Sequence, residues 1–364
     1  MKTEIIKVDM HNPEPDRLSY AADVLRNGGL VAFPTETVYG LGANALDRDA
    51  VAGIFTAKGR PPDNPLIIHI SQRSAVSDLV SSLPQNAGAL MDRFWPGPLT
   101  LVLPKSASVP GIVTAGLDTV AIRMPSHPIA LALIEKAGVP VAAPSANSSG
   151  KPSPTLARHV MDDLSGKVDV IIDGGKVEVG LESTVLDMTT NTPAILRPGG
   201  ITYEQLKLLL GTVDVEQAAS YNETNEAYET NKAGSAVPRS PGMKYRHYAP
   251  EAKVIIVQGK LERVVEEIKR LSRQYDGEGA KTGILATDET MVYYTGCGYP
   301  ACEAISMGSR RNPDTIAANL FESLRYFDGR GVRVIIAEAV ENEGIGMAVM
   351  NRLNKAAGNH IIRV

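Results

Sequence analysis

Apolar residues in this chain come in short runs, and most runs stop at proline, glycine or serine. Leu30-Val31-Ala32-Phe33 stops at Pro34, Val139 to Ala143 runs into Pro144-Ser145-Ala146-Asn147, and Pro65 to Ile70, Leu99 to Leu103 and Thr119 to Met124 are of similar length. Such runs are too short to cross a membrane and suit buried strands. Between them lie helical patterns. Leu18, Ala21, Ala22 and Leu25 recur at helical spacing and stop at Asn27-Gly28-Gly29. Asp47 is placed to cap a helix with inner face Val51, Ile54 and Phe55, ending near Lys58-Gly59. Ser126, with Pro128 just inside, is expected to start a helix that ends at Gly138. Further strands are expected at 168–172, 184–188 and 194–197. Strands and helices do not alternate strictly, which predicts an α/β or α+β layer around a mixed, twisted sheet.

At 364 residues the chain is too long for one ordinary core, so at least two domains are expected. The opening MKTEIIKVDM is too polar for a signal peptide, and a cytoplasmic protein with no membrane partner is expected. A net charge of -4 without a Lys/Arg run does not predict strong non-specific nucleic-acid binding, while leaving room for a local basic patch. Cys297 and Cys302 lack the further ligands of a zinc site and read as reduced thiols. Composition shifts after Leu210. Gly211 to Arg239 is rich in Glu, Asn, Thr, Ala and Ser and reads as a linker, followed by the aromatic and basic stretch SPGMKYRHYAP (Ser240 to Pro250). From Lys253, strands and helices alternate as in a small parallel α/β domain. The expected division is a first domain over 1–210, a linker or lid over 211–251 and a second domain over 252–364.

The chain has no Walker-type phosphate loop, HExxH motif or G-x-S-x-G elbow, and Gly40-Leu41-Gly42 is a weak glycine pair. A nucleotide would have to be held by side chains and strand-end backbone. Lys58 and Arg60 stand at a helix end before Pro61, Pro62 and Pro65. They read either as a solvated basic terminus or as a phosphate clamp on a stiffened loop. Ser145 and Asn147 read either as turn formers or as hydrogen-bonding groups of a site, with Ser148, Ser149, Gly150 and Ser153 extending the turn. Arg123 ends an apolar strand, where a cation needs an anionic partner. His69 in an apolar strand reads more simply as a core histidine. Pro34-Thr35-Glu36-Thr37, Ser183-Thr184 and Arg197 also lie at strand ends. So many polar strand ends in one domain suggest a shared cleft.

Seven segments together resemble the YrdC-type domain of the Sua5/YciO/YrdC family: FPTETVYGLGANA (Phe33 to Ala45), KGRPPDNPLIIHI (Lys58 to Ile70), FWPGPLTLVLP (Phe94 to Pro104), VAIRMPSHP (Val120 to Pro128), APSANSSGKPSPT (Ala143 to Thr155), ESTVLDM (Glu182 to Met188) and ILRPGGI (Ile195 to Ile201). SPGMKYRHYAP and the closing GMAVMNRLNKAAGNHIIRV (Gly346 to Val364) resemble the two-domain Sua5-type members. The resemblance covers nearly the whole chain. It implies a mixed twisted sheet around a concave basic cavity, plus a smaller Rossmann-like C-terminal domain.

The family's implied activity is threonylcarbamoyl-AMP synthesis, a nucleotidyl transfer from L-threonine, bicarbonate or CO2 and ATP that releases pyrophosphate. The product serves N6-threonylcarbamoylation of adenosine 37 in tRNA. Carried over by resemblance, Lys58, Arg60, Ser145 and Asn147 would be catalytic. ATP would meet those four with Thr119, Ser153, Arg197 and Tyr245. Threonine would meet Thr35, His69, Arg123, Ala143 and Ser183. Mg2+ would accompany ATP, and no metal would be held by the protein alone. The stretch with Tyr245-Arg246-His247 reads either as a lid that closes over the cavity or as an interdomain strap packed by its tyrosines. The resemblance leaves room for transient contact with tRNA or the downstream threonylcarbamoyl-transferase complex. Two other readings stay open: a double-stranded RNA or tRNA-binding module without catalysis, and carbamoyl transfer as in hydrogenase-maturation proteins. The second is disfavoured by the few cysteines.

Overall fold

The computed structural model describes residues 2–216, 239, 247–294 and 302–364. They divide into two compact units. The first takes Met1–Ser149, Pro154–Glu178 and Glu182–Tyr245; the second takes Gly150–Ser153, Val179–Leu181 and Arg246–Val364.

The strands of the first unit are β1 (Glu4–Lys7), β2 (Val31–Phe33), β3 (Gly40–Asn44), β4 (Ile67–His69), β5 (Leu99–Pro104), β6 (Thr119–Arg123), β7 (Val141–Ala142), β8 (Val170–Asp173), β9 (Thr184–Asp187), β10 (Ala194–Arg197) and β11 (Asp214–Val215). They form one sheet in the order β1-β8-β2-β3-β7-β4-β6-β5-β9-β10-β11. Pairing is mixed: β4 lies parallel to β6 and antiparallel to β7, while β5 lies antiparallel to β6 and parallel to β9. The expected mixed sheet is what forms.

Side-chain alternation splits this sheet into two chemistries. Ile68, Ile122, Leu101, Leu186 and Ile195 point into the main core, which Val51, Ile54, Phe55 and Leu90 complete from two helices. The other face carries a smaller apolar patch of Ile67, Val102, Ala121, Val185 and Leu196. A third cluster joins Phe33, Val170 and Ile172 to the helices Pro15–Arg26 and Pro128–Ala137.

Local chemistry explains the helix ends. The Asp47 carboxylate accepts from the Asp49 and Ala50 N–H groups, and the helix Arg48–Lys58 stops at Gly59 with φ 61°. The helix expected at Ser126 is capped instead by His127, whose ring accepts from the Ile129 N–H while Pro128 occupies the first turn. Gly40-Leu41-Gly42, weak as a motif, is β3. A Cβ on Gly42 would come within 2.7 Å of the Phe33 ring, so bare backbone is what lets β3 pack there. The first sheet also reaches past Leu210: β11 pairs with β10, and Arg239 bonds Asp187 and Glu216. The rest of the expected linker lies mostly outside the described residues, as do Cys297, Tyr245 and Arg246.

The second unit has β12 (Lys253–Gln258), β13 (Thr282–Ala286), β14 (Cys302–Ser306), β15 (Val334–Glu338) and β16 (Ile361–Arg363), in the order β14-β13-β15-β12-β16. Every pairing is parallel. Its helices are Leu261–Gly277, Pro313–Tyr326 and Ile345–Ala357. This is the parallel α/β arrangement expected from the strand–helix alternation.

Candidate functional site

Strand register builds the first polar cluster. His69 on β4 lies beside Arg123 on β6, and Arg123 lies beside Thr100 on β5. All three emerge on the face opposite the main core, two residues from Ile67, Ala121 and Val102. Arg123 is 3% exposed. Its guanidinium donates to Thr37 Oγ1 at 2.9 Å and Gly97 O at 3.2 Å and pairs with the Glu36 carboxylate at 2.7 Å. Burying a cation is costly unless such a set of acceptors satisfies it. Thr35 closes the same loop: its hydroxyl lies 2.8 Å from Thr37 Oγ1 and donates to Val38 O at 2.6 Å.

His69 Nδ1 lies 3.2 Å from Ile67 O. Burial, and then the charge of Arg123, push the imidazole pKa down to about 3. It is therefore a neutral group with a fixed orientation. Ser183 Oγ is 2.7 Å from Thr100 Oγ1, which joins the start of β9 to the same cluster. Arg197 donates to Ser183 O at 2.9 Å and to Ser183 Oγ at 3.1 Å.

A register shift between Ile195 and Arg197 explains how Arg197 arrives there. Arg197 opposes Val185, so Leu196 is the extra residue of a β-bulge. Unbroken alternation would have turned Arg197 to the side of Ile195, into the apolar core.

The second cluster forms where β7 runs out past the amino end of β4. Ala143 N–H donates to Ile67 O at 2.9 Å, and Ser145 bridges Gly40. Lys58 Nζ donates to Ser145 O at 2.5 Å and Asn147 O at 2.6 Å, with Asn147 Oδ1 at 3.5 Å. The Ser145 hydroxyl donates to Asn147 Oδ1 at 2.6 Å, and the Asn147 amide to Ser148 O at 2.9 Å. Lysine, hydroxyl and amide are thus gathered as the sequence suggested, but the ammonium is seated chiefly on carbonyl oxygens. Arg60 Nη2 donates to Asn64 O at 2.9 Å and its guanidinium lies over the Phe55 ring at 5.8 Å. Thr119 starts β6, on the same face as Ala121 and Arg123.

The predicted residues of the first unit therefore fall into two groups. Thr35, His69, Arg123 and Ser183 belong to the first, and Arg197 joins them through Ser183 rather than the lysine cluster. Lys58, Ser145 and Asn147 form the second, with Arg60 in the loop before β4 and Ala143 leading in along β7. Ser153 belongs to the second unit and is fully buried. Tyr245 lies outside the described residues. Sequence reasoning placed Glu36 and Thr37 at a polar strand end without giving them a role, and it missed Thr100, which alternates with apolar residues inside its strand and carries no local signal. Nor did it find Tyr39, whose hydroxyl donates to Gly175 O at 2.7 Å and accepts from the Gly174 N–H. A cavity of about 660 Å³ at the ends of β1 and β8 is lined by Lys7, Asp9, Arg17 and Gly175 among others, and by none of the predicted residues. Among the described residues no His/Cys/Asp/Glu group could hold a metal ion. No described helix is long and apolar enough to cross a membrane.

Comparison with known proteins places the chain in a family. Residues 23–199 match the Sua5/YciO/YrdC family model, described as "Telomere recombination". Residues 201–358 match the model of the threonylcarbamoyl-AMP synthase C-terminal domain. A Pyrococcus abyssi protein named threonylcarbamoyl-AMP synthase is 51% identical over 96% of this chain and 96% of its own length. A Bacillus subtilis protein of the same name is 49% identical over 95% of this chain and 94% of its own. The crystal structure of P. abyssi Sua5 complexed with L-threonine superposes with a TM-score of 0.90 at 50% identity, covering all of both chains. The chain belongs to the Sua5/YciO/YrdC family. Within it, the chain matches along nearly its full length the two-domain enzymes named threonylcarbamoyl-AMP synthase, which are of nucleotidyltransferase type.

Proposed function

We propose that this chain condenses L-threonine, bicarbonate or CO2, and ATP into threonylcarbamoyl-AMP and pyrophosphate. The threonine amine adds to CO2 and loses a proton, giving a carbamate. A carbamate oxygen then attacks the α-phosphorus of ATP in line as the bond to pyrophosphate breaks. The observation that carries the reading is the shared face of β4 and β6. Arg123 with neutral His69 ends it on one side. The lysine–serine–asparagine turn lies past the amino end of β4 on the other. Thr119 and Arg123 are four residues apart on that face, about 13 Å at strand rise, enough for an amino acid and an α-phosphate end to end.

In this reading the guanidinium of Arg123 takes the threonine carboxylate, with Thr35, His69, Ala143 and Ser183 around the amino acid. Lys58 and Arg60 neutralise phosphate charge, and Ser145 and Asn147 orient phosphate or carbamate oxygens. Thr119, Ser153 and Tyr245 complete the nucleotide side; Arg197, bonded to Ser183, would act where the two substrates meet. The lysine cluster offers a cation, a hydroxyl and an amide, which do not make a cage for Mg2+. The ion would arrive on ATP, held by phosphates and water. Catalysis is positioning and fixed charge, with no covalent intermediate on the protein. The product would pass in the cytoplasm to a transferase that modifies tRNA.

A module that only binds RNA finds less support. Lys58, Arg123 and Arg197 are at most 5% exposed and cannot track the phosphates of a duplex.

Threonine-dependent pyrophosphate release tests the proposal. Lys58→Ala and Arg60→Ala should each lower it about a hundredfold. Arg123→Lys, which loses the planar fork, should weaken threonine binding by calorimetry about tenfold or more. Wild-type rates in the first two would remove the clamp, and wild-type threonine affinity in the third would remove the carboxylate site.

A further inference from the structure

Two short stretches from the first half of the chain pack inside the second unit: Gly150–Ser153 and Val179–Leu181. Both are gripped by one helix of that unit, Pro313–Tyr326. In its last turn, Arg325 donates from Nε at 3.0 Å and from Nη2 at 2.5 Å to a single acceptor, Pro152 O. In its first half, Ala317 and Ala318 lie against Gly180. A Cβ at position 180 would come within 2.4 Å of Ala318 Cα and 2.5 Å of Ala317 O, and its φ of +75° already favours glycine. The Ala249 N–H secures the first stretch further, bonding Gly150 O at 2.9 Å.

Each stretch continues directly into a different part of the site. Gly150 follows Ser149, whose N–H donates to Lys58 O at 2.9 Å, two residues after Asn147. Leu181 precedes Glu182 and Ser183, the partner of Thr100 and Arg197. The peptide between Pro152 and Ser153 is planar, so an arginine fork on the carbonyl also sets the direction of the Ser153 N–H.

We infer that the helix Pro313–Tyr326 is a positioning element for both substrate sides, with Arg325 setting the nucleotide loop and the Gly180 contact setting the threonine loop. This rests on the proposed function. It assigns the C-terminal unit a part in the reaction: its helix holds the two stretches through which these loops pass. Neither residue touches the reacting atoms.

The test is steady-state pyrophosphate release by the full-length protein with ATP and threonine varied separately. Arg325→Ala should raise the KM for ATP about tenfold or more and leave the KM for threonine within about twofold. Arg325→Lys should recover most of the loss, since an ammonium can still donate to Pro152 O. Gly180→Ala should show the reverse pattern, raising the KM for threonine. Arg270→Ala, at an exposed position on the helix Leu261–Gly277 of the same unit, should match wild type. Asn147→Ala run in parallel separates two failures. If it raises the KM for ATP while Arg325→Ala matches wild type, only the positioning role falls. If Asn147→Ala leaves that KM untouched, the nucleotide reading falls and the positioning role with it. Equal loss for both substrates in Arg325→Ala, unrescued by lysine and accompanied by a lower melting temperature, would reduce Arg325 to a structural residue and overturn the inference.

Discussion

His69 is held neutral by its surroundings, and that has a measurable sign. Burial, then the neighbouring Arg123, hold its pKa near 3, while an unfolded histidine titrates near 6.5. Between those values the unfolded chain binds the extra proton. His69 therefore adds stability that is complete above about pH 6.5 and is lost as pH falls toward 3. The loss is at most about 1.4 kcal/mol per pH unit. Urea midpoints of wild type and His69→Gln should converge as pH is lowered from 7 to 4.5. A constant gap would show that the proton linkage is absent. Glu36 is the other instructive residue. Its carboxylate faces Arg123, so the guanidinium that would bind an amino-acid carboxylate already has an anionic partner. Glu36→Gln should tighten threonine binding, because it leaves the buried guanidinium without its anion until the substrate carboxylate arrives, and unchanged affinity would place Glu36 outside the electrostatics of that group. Arg123 was foreseeable, since a cation closing an apolar strand demands an anion. The sequence could not say which carboxylate answers, because Glu36 is far away in the chain.

At the scale of elements, strands and caps were legible wherever local chemistry was decisive. Asp47 and Gly59 bound their helix as their types require, and alternation in β4 and β6 put His69 and Arg123 on one face. What escaped was set by distant packing. The β10 bulge leaves no mark in Ala194 to Arg197, yet it decides where Arg197 points. Likewise β3 hides behind its glycines, which look like a loop until Phe33 is found packed over Gly42. Gly199 gives a test. A Cβ there would meet Glu182 O at 2.3 Å and Ser183 C at 2.4 Å, so the backbone of the 182–184 segment must move if it is filled. Gly199→Ala should raise the KM for threonine about tenfold with the fold retained by circular dichroism. An unchanged KM would show that Ser183 is not part of the threonine side.

For the whole molecule, chain length predicted more than one unit, and strand–helix alternation predicted the parallel second sheet. Neither predicted that seven residues, Gly150–Ser153 and Val179–Leu181, would belong to the C-terminal unit, because they pack on a helix more than a hundred residues further along the chain. The donor chemistry at the lysine cluster also makes a whole-molecule prediction. EDTA should stop pyrophosphate release, and added Mg2+ should restore it, while L-threonine affinity measured without ATP stays the same. Loss of threonine binding on chelation would point to an ion bound by the protein itself. The stitched-in stretches bear on proteolysis. A protease nick between residues 217 and 238 breaks the chain but leaves part of the amino-terminal fragment wedged in the other fragment's fold. The two pieces should co-elute from a sizing column under native conditions and separate only in denaturant.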